Sequence, residues 1–444
     1  MRKLIVGFIF IFAFLLLYAC APAEDEILVH EPEIEVVTNH ELSAGNISGQ
    51  YTGTLTDGIP TGNGSISVNA SGSRWVFDGD FVNGAPANGK LTDYPLSMKI
   101  QNVEVSGVFT GDAADALPSG NGVFTASDSD MKYEGRFSNG NPTGLGEVSD
   151  LLFLLEYDSV DYAGVYNGEV NDGKISGEGT FDYEKDDVYL NYSGSWLDGA
   201  FVEEGFLKSN DFTVHFPSVS RTGTYEGEML DGLASGHGVF SAVNDEGVSY
   251  KYTGEWENSL FNGQGVLIYD ADDEYEQKGS FTDSSFAPTV SEAFISFGTR
   301  TGRQFSVYDY AEQFMIEHND LFMDESKEDT AALVDSLKEL TNSGYKYSEF
   351  TKNPSRYEEG VIRVQNLRIL QIFEQEMWGY EAALVLAYDN SRNYYWIHYL
   401  SYAEGIFENN RITLYALPLD YFTYETAAGG KNWALACAAI YIHK

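Results

Sequence analysis

The chain has 444 residues, with 26 Lys or Arg against 68 Asp or Glu and a formal net charge of −42, and is long enough for two or three domains. So acidic a chain excludes nucleic acid as a partner, because phosphate contacts need clustered Lys and Arg, and it is repelled by anionic lipid headgroups. Most of the excess sits in residues 21–299, which hold 47 acidic and 11 basic residues.

In chain order, residues 1–20 read as a lipoprotein signal peptide. Arg2 and Lys3 precede an apolar run from Leu4 to Leu17, too short for a spanning helix and suited to a secretory signal. The ending "LYAC", Leu17 to Cys20, resembles a bacterial lipobox, although Tyr18 is larger than the small residue usual there. That resemblance implies lipidation of Cys20 and a chain anchored in the cell membrane at its extracytoplasmic face. Residues 21–46 read as an acidic linker. Only Cys437 remains as a second cysteine, so no disulfide framework can form. Its place in "WALACAAIYI" is that of a small buried hydrophobe.

From residue 47 to 298 the sequence repeats. Units of the form aromatic-x-Gly occur at Tyr51, Phe77, Tyr133, Tyr166, Tyr192, Tyr225 and Tyr252, with variants at Val105 and Gln277. Their glycines (Gly53, Gly79, Gly107, Gly135, Gly168, Gly194, Gly227, Gly254 and Gly279) lie 25 to 33 residues apart, the spacing of a repeat array. Two residues after each glycine stands an apolar residue, Trp196 and Trp256 among them, which predicts strands with one buried face. Asp-Gly or Asn-Gly follows in most units, predicting tight hairpin turns, and a Gly-x-Gly opens the return strand. Each unit is therefore a β-hairpin, and only a stack of them can bury enough surface to be stable.

This pattern resembles the MORN repeat, over residues 47 to about 285. The resemblance implies a mainly β fold, an elongated antiparallel sheet of hairpins. "GDAADALPSG", Gly111 to Gly120, reads as an insertion in the third unit, Ser259 and Ser284 replace turn glycines, and Ser149 to Val165 breaks the period.

Residues 299–444 read as a small α+β domain. Helices are predicted over Phe305–Met323 and Ser326–Thr341, followed by five strand-like runs beginning at Val361, Tyr380, Tyr394, Arg411 and Trp433. Five strands in so few residues suit a small, partly open barrel. The runs beginning "KYSEFTKNPSRYEEG" and "ENNRITLYALPLDYF" are similar to an OB-like domain of exported lipoproteins of Gram-positive bacteria. Asn409-Asn410 and Ala416 depart from that family's glycine pattern.

Chemistry-bearing motifs are scarce. The seven histidines show no metal-ligand spacing, the acidic runs Asp182–Asp187 and Asp270–Glu276 lack the glycine and final Glu of a calcium loop, and no nucleophile elbow occurs. Neither a metal nor a cofactor is expected. The reading is a non-catalytic, membrane-tethered binding or scaffold protein presenting its repeats to a protein or cell-wall partner. The alternative is an envelope enzyme acting on wall glycan through its C-terminal domain.

Overall fold

A computed structural model of the chain describes residues 31–70, 72–270, 275–300, 307–323, 330–352, 360–425 and 429–444. Residues 1–20, read from the sequence as a signal peptide, and with them Cys20, lie outside the described residues. The fold is mostly β: a 19-stranded antiparallel sheet of hairpins and a separate five-stranded closed barrel. Two compact units are distinguished, residues up to Thr92 with Ala113–Ala116, and Asp93–Asp112 with Leu117–Lys444.

The sheet is built from blocks of four strands. The first comprises β1 (Ile34–Ala44), β2 (Ile47–Thr56), β3 (Ile59–Ala70) and β4 (Ser73–Val82). Next come β5 (Ala85–Ile100), β6 (Val103–Ala114), β7 (Leu117–Ala126) and β8 (Lys132–Ser138). A third block has β9 (Asn141–Tyr157), β10 (Val160–Asn171), β11 (Lys174–Lys185) and β12 (Val188–Leu197). The last has β13 (Ala200–Phe216), β14 (Val219–Leu230), β15 (Leu233–Val243) and β16 (Ser249–Glu257). β17 (Leu260–Asp270), β18 (Tyr275–Thr282) and the short β19 (Ser285–Phe286) close the sheet. Residues 34–44, assigned from composition to an acidic linker, are thus a strand, and β1 pairs with β2 from Ile34 to Ala44. Val37 and Ala44 supply its buried positions.

Two-residue turns join the strands where Asp-Gly and Asn-Gly stand. Asp172 and Gly173 have φ of 50° and 75°, the left-handed pair that matches the strand twist of a hairpin. Ser259 and Ser284 hold φ of 62° and 64° at the same place, so the substitutions keep the turn and accept its strain.

Every fourth hairpin end is long. β5, β9 and β13 run 16, 17 and 17 residues, and each arm bends at a residue with left-handed φ or a register shift. Asp93 donates its N–H to Thr110 Oγ1 at 3.1 Å and Asp150 to Asn167 Oδ1 at 2.8 Å, and β13 shifts register between Ser209 and Phe212. Bent in this way, the arms cover the aromatic face of the strands ahead of them. Phe153 of β9 lies 6.4 Å from Trp196 of β12, Phe212 of β13 lies 6.3 Å from Trp256 of β16, and Gln101 Nε2 donates to Asp198 O at 2.6 Å. The segment Ser149–Val165 that interrupts the period is therefore one of these covering arms.

The array ends before residue 298. Helix α1 (Val290–Arg300) follows the last hairpin, so the final stretch assigned to repeats is helical. Helices α2 (Asp309–Glu317), α3 (Thr330–Leu340) and α4 (Tyr347–Phe350) precede the barrel. Its strands are β20 (Ile362–Met377), β21 (Tyr380–Tyr388), β22 (Tyr394–Tyr399), β23 (Arg411–Glu425) and β24 (Lys431–His443). The barrel is closed rather than partly open, in the order β20-β21-β22-β24-β23, with one parallel pair, β22 with β24. Closure removes the sheet edges. One core fills its interior around Leu367, Val385, Ile397, Leu435 and Cys437, and another packs α1, α2 and α3 through Phe294, Met315 and Leu337.

Candidate functional site

The repeat residues form one recurring device. Tyr51, Phe77, Tyr133, Tyr166, Tyr192, Trp196, Tyr225, Tyr252 and Trp256 are all buried. Each tyrosine ring folds over two glycines facing one another across neighbouring strands, as Tyr166 does over Gly168 and Gly179. A Cβ on Gly179 would sit 2.5 Å from the ring. The phenol then donates to the carbonyl three residues on: Tyr166 to Glu169 O at 2.8 Å, Tyr225 to Glu228 O at 2.8 Å, Tyr252 to Glu255 O at 2.7 Å. A buried polar group is satisfied and the local bulge is pinned. Burial, reinforced by nearby carboxylates, raises these phenols, Tyr192 to about 12.

Glycines therefore line up in rows four strands wide, over β2–β5, β10–β13 and β14–β17. Gly53 faces Gly64, which faces Gly79, which faces Gly89; Gly168, Gly179, Gly194 and Gly205 do the same, as do Gly227, Gly238, Gly254 and Gly265. Between one row and the next the register slips, within the arm pairs: Gly168 of β10 faces Val148 of β9, and Gly227 of β14 faces Leu207 of β13.

The third unit corrects the sequence reading. Its aromatic-x-Gly is Phe109-Thr110-Gly111, not the variant at Val105. Phe109 is fully buried, and a Cβ on Gly111 would collide with Gly122 as in the other units. "GDAADALPSG" is the body of the repeat, with Asp115-Ala116 as its turn at φ of 53° and 58°. Gly107 belongs instead with Gly49, Gly164 and Gly223, two residues before the aromatic, where a Cβ would strike a carbonyl of the next strand. In the alternate units that position holds Trp75, Met131, Leu190 or Tyr250, all buried. The structural repeat is thus a pair of hairpins.

The acid after the unit glycine also has a role that the sequence reading missed. Glu169, Glu228 and Glu255 each accept the N–H of the middle residue of the following Gly-x-Gly, at 3.0, 2.8 and 2.9 Å. The recurring "GE" with "GxG" nine residues later was the available signal.

A cleft of about 450 Å³ opens where the β9–β10 arm meets β13 and the turns after β14 and β16. Leu155, Phe201 and Phe212 form a buried floor, with Tyr157, Leu233 and Leu260 as walls. Its volume is that of a small-ligand or side-chain pocket. At the rim, His215 Nε2 lies 3.5 Å from Asp158 Oδ2 and its Nδ1 lies 2.9 Å from Ser220 Oγ. Ser, His and Asp in a row are the residue types of a hydrolytic relay. Here, however, the His and Asp side chains are 63% and 44% exposed, so water screens the pair, and what the geometry offers is a tie between two arms.

Elsewhere, His237 lies in a Gly-x-Gly on the solvent side and Cys437 is buried, its thiol raised by burial. Among the described residues no group of three His, Cys, Asp or Glu is placed to hold a metal, and no helix is long and apolar enough to cross a membrane.

This geometry, hairpins with tyrosines folded over paired glycines, defines a β-hairpin repeat protein. The MORN repeat family matches residues 133–148, 166–188, 225–245 and 252–273, so MORN repeats are present in four segments, beginning at Tyr133, Tyr166, Tyr225 and Tyr252. No curated protein matches the chain.

Proposed function

We propose that this chain is a lipid-anchored, extracytoplasmic binding or scaffold protein without catalytic activity. Its repeats meet a protein or cell-envelope partner. MORN repeats are generally linked to protein or membrane binding, and the observation that carries the reading is the repeat device itself. Its recurring aromatic chemistry is consumed internally, in tyrosine hydroxyls bonded to backbone, which leaves the solvent face of the sheet, where each capping carboxylate spends only one oxygen on the Gly-x-Gly, and the arm cleft as the surfaces for recognition. The C-terminal barrel fits an OB-like module: a parallel pairing of its third and fifth strands and the 1-2-3-5-4 order support that assignment.

The anchor rests on Cys20 directly after the apolar run. Labelling with an alkyne palmitate analogue is expected in the native chain and lost in Cys20→Ser, which should leave the membrane fraction or persist as precursor; retained labelling would remove the anchor. The binding role is tested by crosslinking whole cells and identifying envelope proteins joined to the repeats. An array that crosslinks to nothing above a tethered control would count against it.

A further inference from the structure

We propose that the solvent face of hairpin β13–β14 is a docking groove for an extended, arginine-bearing segment of a basic partner protein, an inference that rests on the binding reading above and specifies its partner. A shallow depression of about 550 Å³ there is lined by Ser193, Glu204, Phe206, Glu228, Leu230 and Ser235, among others. Phe206 is 43% exposed and Leu230 47%. Phe206 lies opposite Glu228 across the pair, and Glu204 lies opposite Leu230, so each apolar side chain is flanked by a carboxylate. Glu228 is held in place, its Oε2 accepting the His237 N–H at 2.8 Å. The nearby cation, Lys208, is engaged by Glu226 at 3.4 Å.

Charge selects the occupant. A purely apolar visitor would cover Phe206 while stripping water from Glu204 without a counter-charge, which is strongly unfavourable. Phosphate or anionic headgroups meet repulsion from the same carboxylates. An arginine satisfies both features at once, because its planar guanidinium stacks on a ring face and its fork donates to a carboxylate. Glu169 and Glu178 present a second exposed carboxylate pair on β10 and β11. Three strand spacings of about 4.8 Å separate the two stations, roughly 14 Å, the length of about four residues of extended chain. The partner segment should therefore carry arginines about four residues apart.

The test uses the full-length protein in nonionic detergent and a fluorescent peptide with three arginines four positions apart, separated by Gly and Ser, read by anisotropy. Glu204→Gln with Phe206→Ser, both at exposed positions, is expected to weaken binding at least tenfold with an unchanged melting temperature. Asp186→Asn with Asp187→Asn, which removes more charge at a distant turn, should change it less than twofold. Replacing the arginines by lysine should also weaken binding several-fold. Equal losses in both double variants, no binding by the native protein, or displacement of the peptide by a neutral oligosaccharide would each overturn the groove. Crosslinking separates this from the broader reading: if the groove variant keeps every partner of the native chain, the groove fails while the binding role stands.

Discussion

At the scale of single residues, two kinds of glycine do different work. Gly179 lies under the Tyr166 ring, whereas a Cβ on Gly62 meets nothing within 4 Å and only its φ of 67° resists a side chain. Gly179→Ala should therefore destabilise by about 2–3 kcal/mol through overpacking, and Gly62→Ala by about 1–2 kcal/mol through left-handed strain, both read by urea denaturation. Trp256 lies within 6.3 Å of the rings of Tyr225, Phe212, Phe240, Tyr252 and Phe261. Its replacement by Ala should cost about 3–5 kcal/mol. The tyrosines add an alkaline limit. A phenol raised by burial, as Tyr192 is to about 12, keeps its proton in the folded state when the unfolded chain, with values near ~10, has begun to lose it. The stabilisation is complete below about pH 10 and falls as pH rises from there towards 12. Denaturation midpoints should drop across that window, while absorbance at 295 nm shows the buried tyrosines ionising only with unfolding.

At the scale of elements, the Glu292 carboxylate fastens the start of α1 to the end of the sheet, and Ser296 Oγ, accepting the Lys278 N–H at 3.3 Å, ties it again one turn on. Thr289 and Glu292 form a capping box, Thr289 N–H donating to Glu292 Oε2 at 2.8 Å. The same carboxylate accepts Ser280 N–H at 3.0 Å and Gln264 Nε2 at 3.1 Å. Burial pushes this carboxyl up, but the hydrogen bonds outweigh it and hold the group below its ordinary value. Its contribution is thus present above the unfolded value of about 4.3 and lost as pH falls through the folded one. Glu292→Ala should lower stability by about 1–3 kcal/mol at pH 7, and the gap from the native protein should close as pH falls below about 4. The start of helix α1 was legible, since Thr289 with Glu292 three residues on, directly after Pro288, is a helix-start pattern that the repeat span was carried across. The strands of the barrel were legible, since each is a run of β-branched and aromatic residues between turn signals. Its closure was not, because closure depends on Val364 and Leu414 pairing far apart in sequence.

At the scale of the whole molecule, charge opposes lipid as a direct ligand of the repeats. With 47 acidic and 11 basic residues between 21 and 299, the chain from residue 21 onward should fail to co-sediment with vesicles rich in anionic lipid, without calcium at physiological salt; strong co-sedimentation would make the repeats a membrane-binding surface. The hairpin period, turn types and inward aromatics were written in local spacing, because a two-residue turn and a period-2 strand are decided by neighbours in sequence. Even the paired-hairpin repeat was present there: with the third unit set at Gly111, the spacings from Gly53 run 26, 32, 24, 33, 26, 33 and 27 residues, an alternation that the register taken at Gly107 concealed. What only the tertiary structure decided is where the arms go. Phe153 meets Trp196 and Gln101 meets Asp198 because bulged strands bend back over the sheet. Which residues such a bend brings together depends on packing over long loops, to which no local pattern in the chain corresponds.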